Sequence, residues 1–585
     1  MRFLGNVLAT IVGLFVFLML FFFGFMFIGM IFGGDSDKVS IKDNSVIEFN
    51  LENITNDYAG KYSDPMMLYF TEATVGVSDV INAIEAAKTD DDIKGISIIN
   101  NTSSIGIAQA KALRDALEDF KTSKKFVVSY GDSYSQKEYY LNSIADTIYL
   151  NPIGEMDFKG LSSEVMFFKD LQEKSGVKME VIRHGKYKSA VEPFLDNKMS
   201  DANREQISSL LNSVWNSFAT EISKSRNIPL AQLNTIADGL LARTPELAKS
   251  HKLIDKIAYE DEYHNGIRKA LKVEKDKKYN TISIEDYAKN VATSPKSESS
   301  KDKIAIIYAQ GEIRSGEGDV NYIGEGSMRR SLQEARKDKN IKAIVLRIDS
   351  PGGSALTSEL IWREIELTKK VKPIVVSMGN VAASGGYYIA CNANQIFAEE
   401  NTITGSIGVF GMLPNFTELS NRIGIHTEKV STHKNAGEYS PFVPLDPNFR
   451  AVTQESVERI YATFVNRVAT GRKMTFEQVD AIGQGRVWSG SEALKIGLVD
   501  KIGGMDDALK AAAKFAKIEK YKTKNFPEYE KDFKDVLAGF GLAKTKESLI
   551  KEEIGEENYR IFETVKKLQS QKGMQARMSY EITIK

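Results

Sequence analysis

KFVVSYGDSYSQKEYYLNSIA (residues 125–145) and PIVVSMGNVAASGGYYIACNA (373–393) are two versions of one segment. Val127-Val128-Ser129 aligns with Val375-Val376-Ser377 at an offset of 248 (375 − 127). Without a gap, the same offset sets Gly131 on Gly379, Tyr139-Tyr140 on Tyr387-Tyr388 and Ala145 on Ala393. Upstream it sets Ile93-Lys94 on Ile341-Lys342, and downstream Pro193-Phe194 on Pro441-Phe442. A period this long marks a duplicated domain, not a solenoid of short repeats. Within each copy, short β-branched runs such as IKAIVLRI (341–348) and IFAE (396–399) have the character of buried strands. The stretch Ser354 to Thr368 is patterned as an amphipathic helix between them. Strands alternating with helices predict βαβ units, hence an α/β fold with largely parallel sheets.

The predicted division is an anchor at 1–36, a first domain at 45–290, a linker at 291–303, a second domain at 304–520 and an extension at 521–585. The linker follows from TSPKSESSKDK (293–303), which is polar, charged and broken by proline. The extension is rich in lysine and glutamate and is expected to form surface helices ending in a strand-like tail, SYEITIK.

From Phe3 to Gly34 no residue is charged, and IVGLFVFLMLFFFGFMFIGMIF (11–32) exceeds the apolar length of about 20 residues that a bilayer core requires. A secretory signal peptide has a shorter apolar region and a small-residue cleavage site. Neither feature is present, so the segment is expected to be a retained transmembrane helix. Later apolar runs are too short to span, which predicts a single pass. Arg2 on one side and Asp35 and Asp37 on the other orient the N-terminus to the cytoplasm and the body outside. The net charge of −1 in 585 residues gives no basic excess for nucleic acid. The single cysteine, Cys391, excludes an intrachain disulfide framework and a multi-cysteine metal site. No cofactor or metal is expected.

The two copies differ where chemistry could reside. Ser384 of the second copy faces Gln136 of the first. The turn Pro351-Gly352-Gly353, within RIDSPGGS (347–354), faces Ser103, Ser104 and Ile105. Glycines in such a turn allow backbone N–H groups near Gly353 and Gly385 to reach the oxyanion of a tetrahedral intermediate. Ser384 alone would be read as a helix N-cap. Paired with the SPGG turn on a neighbouring strand, it is a candidate nucleophile. Of His184, His251, His264, His426 and His433, only His433 lies in a segment where a triad role is conceivable. Lys188 is the stronger candidate base, because Ala436 faces it in the second copy. The losses are reciprocal, so one complete site needs both halves. The role requires that burial pull the amine far below the free-lysine value of about 10.4.

GKYKSAVEPFL (185–195), RIDSPGGS, VAASGGYYIA (381–390), TITGSIGVFG (402–411) and GRVWSGSEALKIGLVDKIGG (485–504) together resemble the long form of the S49 family of serine peptidases. The resemblance runs from about residue 50 to 515 and includes the N-terminal anchor. It implies tandem Clp protease/crotonase-like domains and a Ser–Lys dyad, by position Ser384 and Lys188. It also implies a serine that orients the amine, by position Ser406, which Phe158 replaces in the first copy. Further implications are a homo-tetramer in the bacterial inner membrane and remnant signal peptides as substrates. An acyl-CoA enzyme of the crotonase type and an inactive membrane scaffold are the alternatives. The GRVWSG block is read as packing only.

Overall fold

The computed structural model describes residues 5–6, 10–21, 24, 41–62, 75–275, 277–293, 300–436, 439–529 and 574–578. Two parallel sheets form its frame. In the first, the strands run in the order Lys256–Ile257, Thr147–Met156, Phe126–Tyr134, Ile93–Ile99, Ser45–Phe49 and Asn280–Ser283. In the second, Ile374–Ala383, Ile341–Ser350 and Lys303–Gln310 are central, and Gln395–Ala398 pairs alongside Ile374–Ala383. Three strand starts repeat at the offset seen in the sequence: 93 and 341, 126 and 374, 147 and 395, each 248 apart (341 − 93). Parallel strands covered on both faces read as continuous apolar runs. Accordingly Ile344, Val345, Leu346 and Ile348 are all fully buried.

The long helices repeat as well. Asp201–Arg226 starts at Ser200, whose hydroxyl accepts from the Asn203 N–H. Pro447–Arg472 starts at Asp446, whose carboxylate accepts from the Asn448 and Phe449 N–H groups, with proline in the first turn. Both starts satisfy N–H groups that the helix itself cannot. Each helix ends at a left-handed residue, Asn227 and Lys473 respectively.

A third sheet joins the halves. Its order is Tyr322–Gly324, Glu312–Arg314, Gly352–Ser354, Gln575–Arg577, Val409–Asn415 and Lys178–His184. Lys178–His184, from the first half, runs antiparallel to Val409–Asn415 of the second, in register from Val409 opposite His184 to Asn415 opposite Lys178. That ladder delivers the chain just before Lys188 into the second half.

The expected boundary at 520 does not hold for the second sheet. Lys522–Phe526 adds as a parallel edge strand beside Lys303–Gln310. Phe526, fully buried, draws that stretch in although it carries Lys522 and Lys524. The rest of the extension expected to be helical (530–573), the tail at 579–585 and linker residues 294–299 lie outside the described residues. So does most of the predicted anchor. Residues 10–21 are helical, with Ile11, Phe15, Phe17 and Leu20 exposed. Among the described residues no helix is long and apolar enough to cross a membrane.

Candidate active site

Ser384 lies where the strand Ile374–Ala383 gives way to the short helix Gly385–Ala390. Its backbone is held at φ 54° and ψ −114°, far from the usual basins of an L-residue. Such a conformation costs about 1–3 kcal/mol and persists only where its surroundings enforce it. Here the Ser384 N–H donates to the Gly405 carbonyl at 2.8 Å. Ser406, also at positive φ (50°), donates its N–H to the Arg486 carbonyl at 2.7 Å. Ser384 is thus pinned to the residue that precedes Ser406, and Ser406 to the chain beyond it.

Lys188 comes from the other half. After the strand Lys178–His184 the chain turns at Gly185, and Tyr187 donates its N–H to the Gln484 carbonyl at 2.8 Å. The lysine side chain then runs into the second half. Its Nζ lies 2.9 Å from Ser384 Oγ, 3.0 Å from Ser406 Oγ and 3.2 Å from the Ser406 carbonyl oxygen. Lys188, Ser384 and Ser406 are all fully buried. Burial alone, with no carboxylate partner, holds the amine well below the ordinary lysine value. Phe410 closes one side, its ring 6.0 Å from Nζ.

Neither His184 nor His433 is a hydrogen-bond partner of Ser384. His184 Nδ1 is 2.5 Å from Glu458 Oε2, with its ring stacked on Tyr461. His433 is exposed beside Thr432. Among the described residues Ser384 Oγ has only Lys188 Nζ and, at 3.5 Å, the Gly408 carbonyl as partners.

Gly352–Ser354 is a three-residue strand, and Gly352 and Gly353 both take positive φ (94° and 156°). Gly352 packs against the start of the short helix: a Cβ built there would come 2.6 Å from the Gly385 amide nitrogen. The Gly352 and Gly385 backbones are therefore in direct contact, next to Ser384 in the chain.

The first copy shows what replaced this machinery. Gln136 opens an ordinary helix capped by Ser135 at φ −68°. Its amide oxygen accepts from the Lys159 and Gly160 N–H groups at 3.1 and 2.9 Å, and its nitrogen donates to the Gly160 carbonyl at 3.0 Å. Phe158 fills the position of Ser406 and packs edge-on to Tyr139 at 5.8 Å. The equivalent cleft is plugged by a side-chain amide and an aromatic ring.

The GRVWSG block does more than pack at a distance. A Cβ built on Gly485 would come 2.7 Å from both Lys188 N and Lys188 Cβ, and Gly485 has φ 81°. Sequence reasoning missed this, since nothing in the spacing of 485 and 188 signals contact. Gly485→Ala is expected to displace Lys188 and lower peptide hydrolysis about 100-fold, as misplacements near 1 Å do. Circular dichroism that stays native while kcat falls would separate displacement from unfolding.

Peptidase family S49 matches residues 119–274 and 366–519, more than half of the chain. The chain belongs to peptidase family S49. Relatives within the S49 peptidases cover most of both lengths. Protease 4 of Haemophilus influenzae is 37% identical over 447 residues, 75% of this chain and 72% of its own. Protease 4 of Salmonella typhi is 38% identical over 453 residues, 76% of this chain and 72% of its own. The chloroplastic serine protease SPPA of Arabidopsis thaliana is 32% identical over 501 residues, 83% of this chain and 73% of its own. A solved ClpP1 chain from Listeria monocytogenes aligns over 35% of this chain and 94% of its own, at 18% identity and TM-score 0.25. The paired matches sit on the two copies, so this S49 peptidase carries its family domain in tandem.

Proposed function

We propose that this S49 peptidase is a membrane-anchored serine endopeptidase that degrades remnant signal peptides, with Ser384 as nucleophile and Lys188 as general base. The observation that carries this is the buried 2.9 Å contact between Lys188 Nζ and Ser384 Oγ. A neutral amine has two N–H donors and one lone pair. With the donors on the Ser406 hydroxyl and carbonyl, the lone pair is left for the Ser384 hydroxyl. Ser406 therefore orients the amine. Attack on a peptide carbonyl forms the acyl-enzyme, and Lys188 carries the proton from Ser384 to the leaving amine. The N–H groups of Gly353 and Gly385 receive the developing oxyanion. Water then attacks the ester, with Lys188 again accepting a proton.

The exposed apolar helix at 10–21 supports an N-terminal anchor in the bacterial inner membrane, with the body on its outer side. An anchor would hold the site where apolar leader fragments remain after processing. A homo-tetramer enclosing the sites is part of the same proposal.

Digestion of a synthetic apolar leader peptide by the purified full chain tests it, with Ser384→Ala and Lys188→Ala beside the wild type. Retained cleavage in either variant would falsify the dyad. The pH profile is a second expected outcome. Only unprotonated Lys188 can accept the Ser384 proton, and burial lowers its pKa. Activity should rise with pH along one limb whose midpoint lies well below the free-lysine value of about 10.4. A limb centred on that value would mean an exposed, ordinary lysine.

A further inference from the structure

Lys188 and Ser406 come from different halves, yet one short turn holds both. It is made of Gln484, Gly485 and Arg486 and leads into the strand Val487–Ser489. The Gln484 carbonyl accepts from the Tyr187 N–H at 2.8 Å, one residue before the lysine. The Gly485 N–H donates to the Ile407 carbonyl at 2.7 Å, and the Arg486 carbonyl accepts from the Ser406 N–H at 2.7 Å. Gln206 ties the same segments, donating from Nε2 to the Tyr187 carbonyl at 3.2 Å and accepting at Oε1 from the Val487 N–H at 3.3 Å. None of these bonds needs an arginine side chain.

The Arg486 side chain nevertheless has a built seat. Its guanidinium carbon lies 4.9 Å from the ring centre of Tyr187 and 4.3 Å from that of Trp488. Its Nη1 donates to Tyr187 Oη at 3.3 Å and to Glu205 Oε1 at 2.7 Å. Tyr187 Oη in turn donates to Glu205 Oε2 at 3.2 Å, so the three side chains bond in a closed loop. Trp488 is itself fixed, since its Nε1 donates to the Ile482 carbonyl at 3.0 Å and its backbone pairs with Thr404, two residues before Ser406. A planar guanidinium can lie against aromatic faces while donating from its edge, which an ammonium cannot reproduce.

The duplication marks this side chain as specific to the working half. The helices Pro245–Ser250 and Gly490–Lys495 start 245 apart (490 − 245), as do the strands Lys256–Ile257 and Lys501–Ile502 (501 − 256). That spacing sets Arg486 on Leu241, which packs against the apolar core of the first half. Tyr187 stands opposite Asn435 at the offset of 248. Neither member of the stack has a counterpart where Ser384 and Ser406 have been replaced.

We propose that Arg486 is a positioning residue for the Ser384–Lys188 pair: its guanidinium clamps Tyr187 onto the turn that holds Ser406, and so fixes where the lysine amine stands between the two serine hydroxyls. This rests on the peptidase reading above and deepens it. Among the described residues the Arg486 side chain bonds to neither Lys188 nor either serine. It acts through the Tyr187 ring on one side and through its own carbonyl on the other. Without the clamp the main-chain bonds keep the turn folded, but the segment carrying Lys188 is held by its backbone alone.

The test is steady-state hydrolysis of an apolar leader peptide by the full chain in detergent, with circular dichroism reporting the folded fraction. Arg486→Ala is expected to lower kcat between about 10- and 100-fold, the cost of a base misplaced by a fraction of an ångström to 1 Å, with KM nearly unchanged. Arg486→Lys should not restore it. Tyr187→Phe keeps the stacked face and should retain most of kcat, whereas Tyr187→Ala should fall as Arg486→Ala does. Because the two side chains act as a unit, Arg486→Ala with Tyr187→Ala should lose no more than the larger single loss. Tyr187→Ala alone carries the same expectation if Arg486→Ala does not fold. A kcat for folded Arg486→Ala within about threefold of the wild type, or a loss confined to KM, overturns the inference and leaves the peptidase reading intact. A double loss equal to the product of the single losses also overturns it. A wild type that does not cleave the leader, or a Ser384→Ala variant that does, overturns the peptidase reading and the inference with it.

Discussion

Ser384→Ala, Lys188→Ala and the double variant are expected to lose peptide hydrolysis to a common floor, about 10⁴-fold or more below the wild type. At about 1.4 kcal/mol per tenfold, that is at least ~5.5 kcal/mol of transition-state stabilisation from one hydrogen-bonded pair. The equality of the three values is the informative part. A hydroxyl whose base is missing attacks no better than a missing hydroxyl, so groups that act as a unit are not additive. Among the described residues no other base is in reach, because the remaining neighbour of Ser384 Oγ is the Gly408 carbonyl. Lys188→Arg should reach the same floor. A guanidinium keeps its proton above pH 12 and cannot accept one from serine. Steady-state hydrolysis of a leader peptide measures all four. A double variant whose loss equals the product of the single losses would mean that the two residues act separately.

That pairing was legible because duplication left a comparison inside one chain. The offset of 248 at Val127 and Val375 proved to be the spacing of real strands, at 93 and 341, 126 and 374, and 147 and 395. Gln136 against Ser384 and Lys188 against Ala436 then isolated what each half retained. The structure explains the first exchange: a side-chain amide that ties down Lys159 and Gly160 needs no strained backbone. Other features left no trace. Gly485 against Lys188 is a contact across almost three hundred positions with no period behind it. Gly352–Ser354 and Gln575–Arg577 have three residues each, too few for an alternating pattern to emerge. Within MQARM (574–578), Gln575, Ala576 and Met578 are buried because partners on both sides complete the strand, not because its own composition demands it. The strand-like signal was instead attached to the residues immediately after it.

Asp57→Ala is expected to destabilise the fold by about 3–5 kcal/mol, the cost of leaving a buried charge without its partner. Asp57 belongs to the first half and Arg347 to the second, and both are buried. The Arg347 Nε donates to Asp57 Oδ2 at 2.5 Å, and Gln109 Nε2 donates to Asp57 Oδ1 at 2.8 Å. Arg347 also donates to Ser377 Oγ and to the Met378 carbonyl, both at 2.9 Å. Asp349, two residues on, accepts from the Val381 N–H at 2.9 Å and from Asn380 Nδ2 at 2.8 Å. These bonds brace the strand that ends at the glycine turn against the strand that ends at Ser384. From the first half, Asp57 holds Arg347 of one strand and the Gln109 N–H donates to Asn380 Oδ1 of the other at 3.1 Å.

Its loss should also appear in the pH dependence of stability. Burial first, and the neighbouring Asp57 charge second, push the Asp349 carboxyl up to about 6 from its ordinary 3.8. A raised acid binds its proton more tightly in the folded state. Its contribution is fully present below pH 3.8 and is lost as pH rises through about 6. Without Asp57 the upward push weakens and Asp349 ionises at lower pH. The variant should therefore show a shallower fall in stability between pH 4 and 6, superimposed on the larger loss. Urea midpoints at several pH values read both effects. An unfolding free energy at pH 7, midpoint times slope, within about 1 kcal/mol of the wild type would show that Arg347 finds equivalent company without Asp57, and that the halves are held together elsewhere.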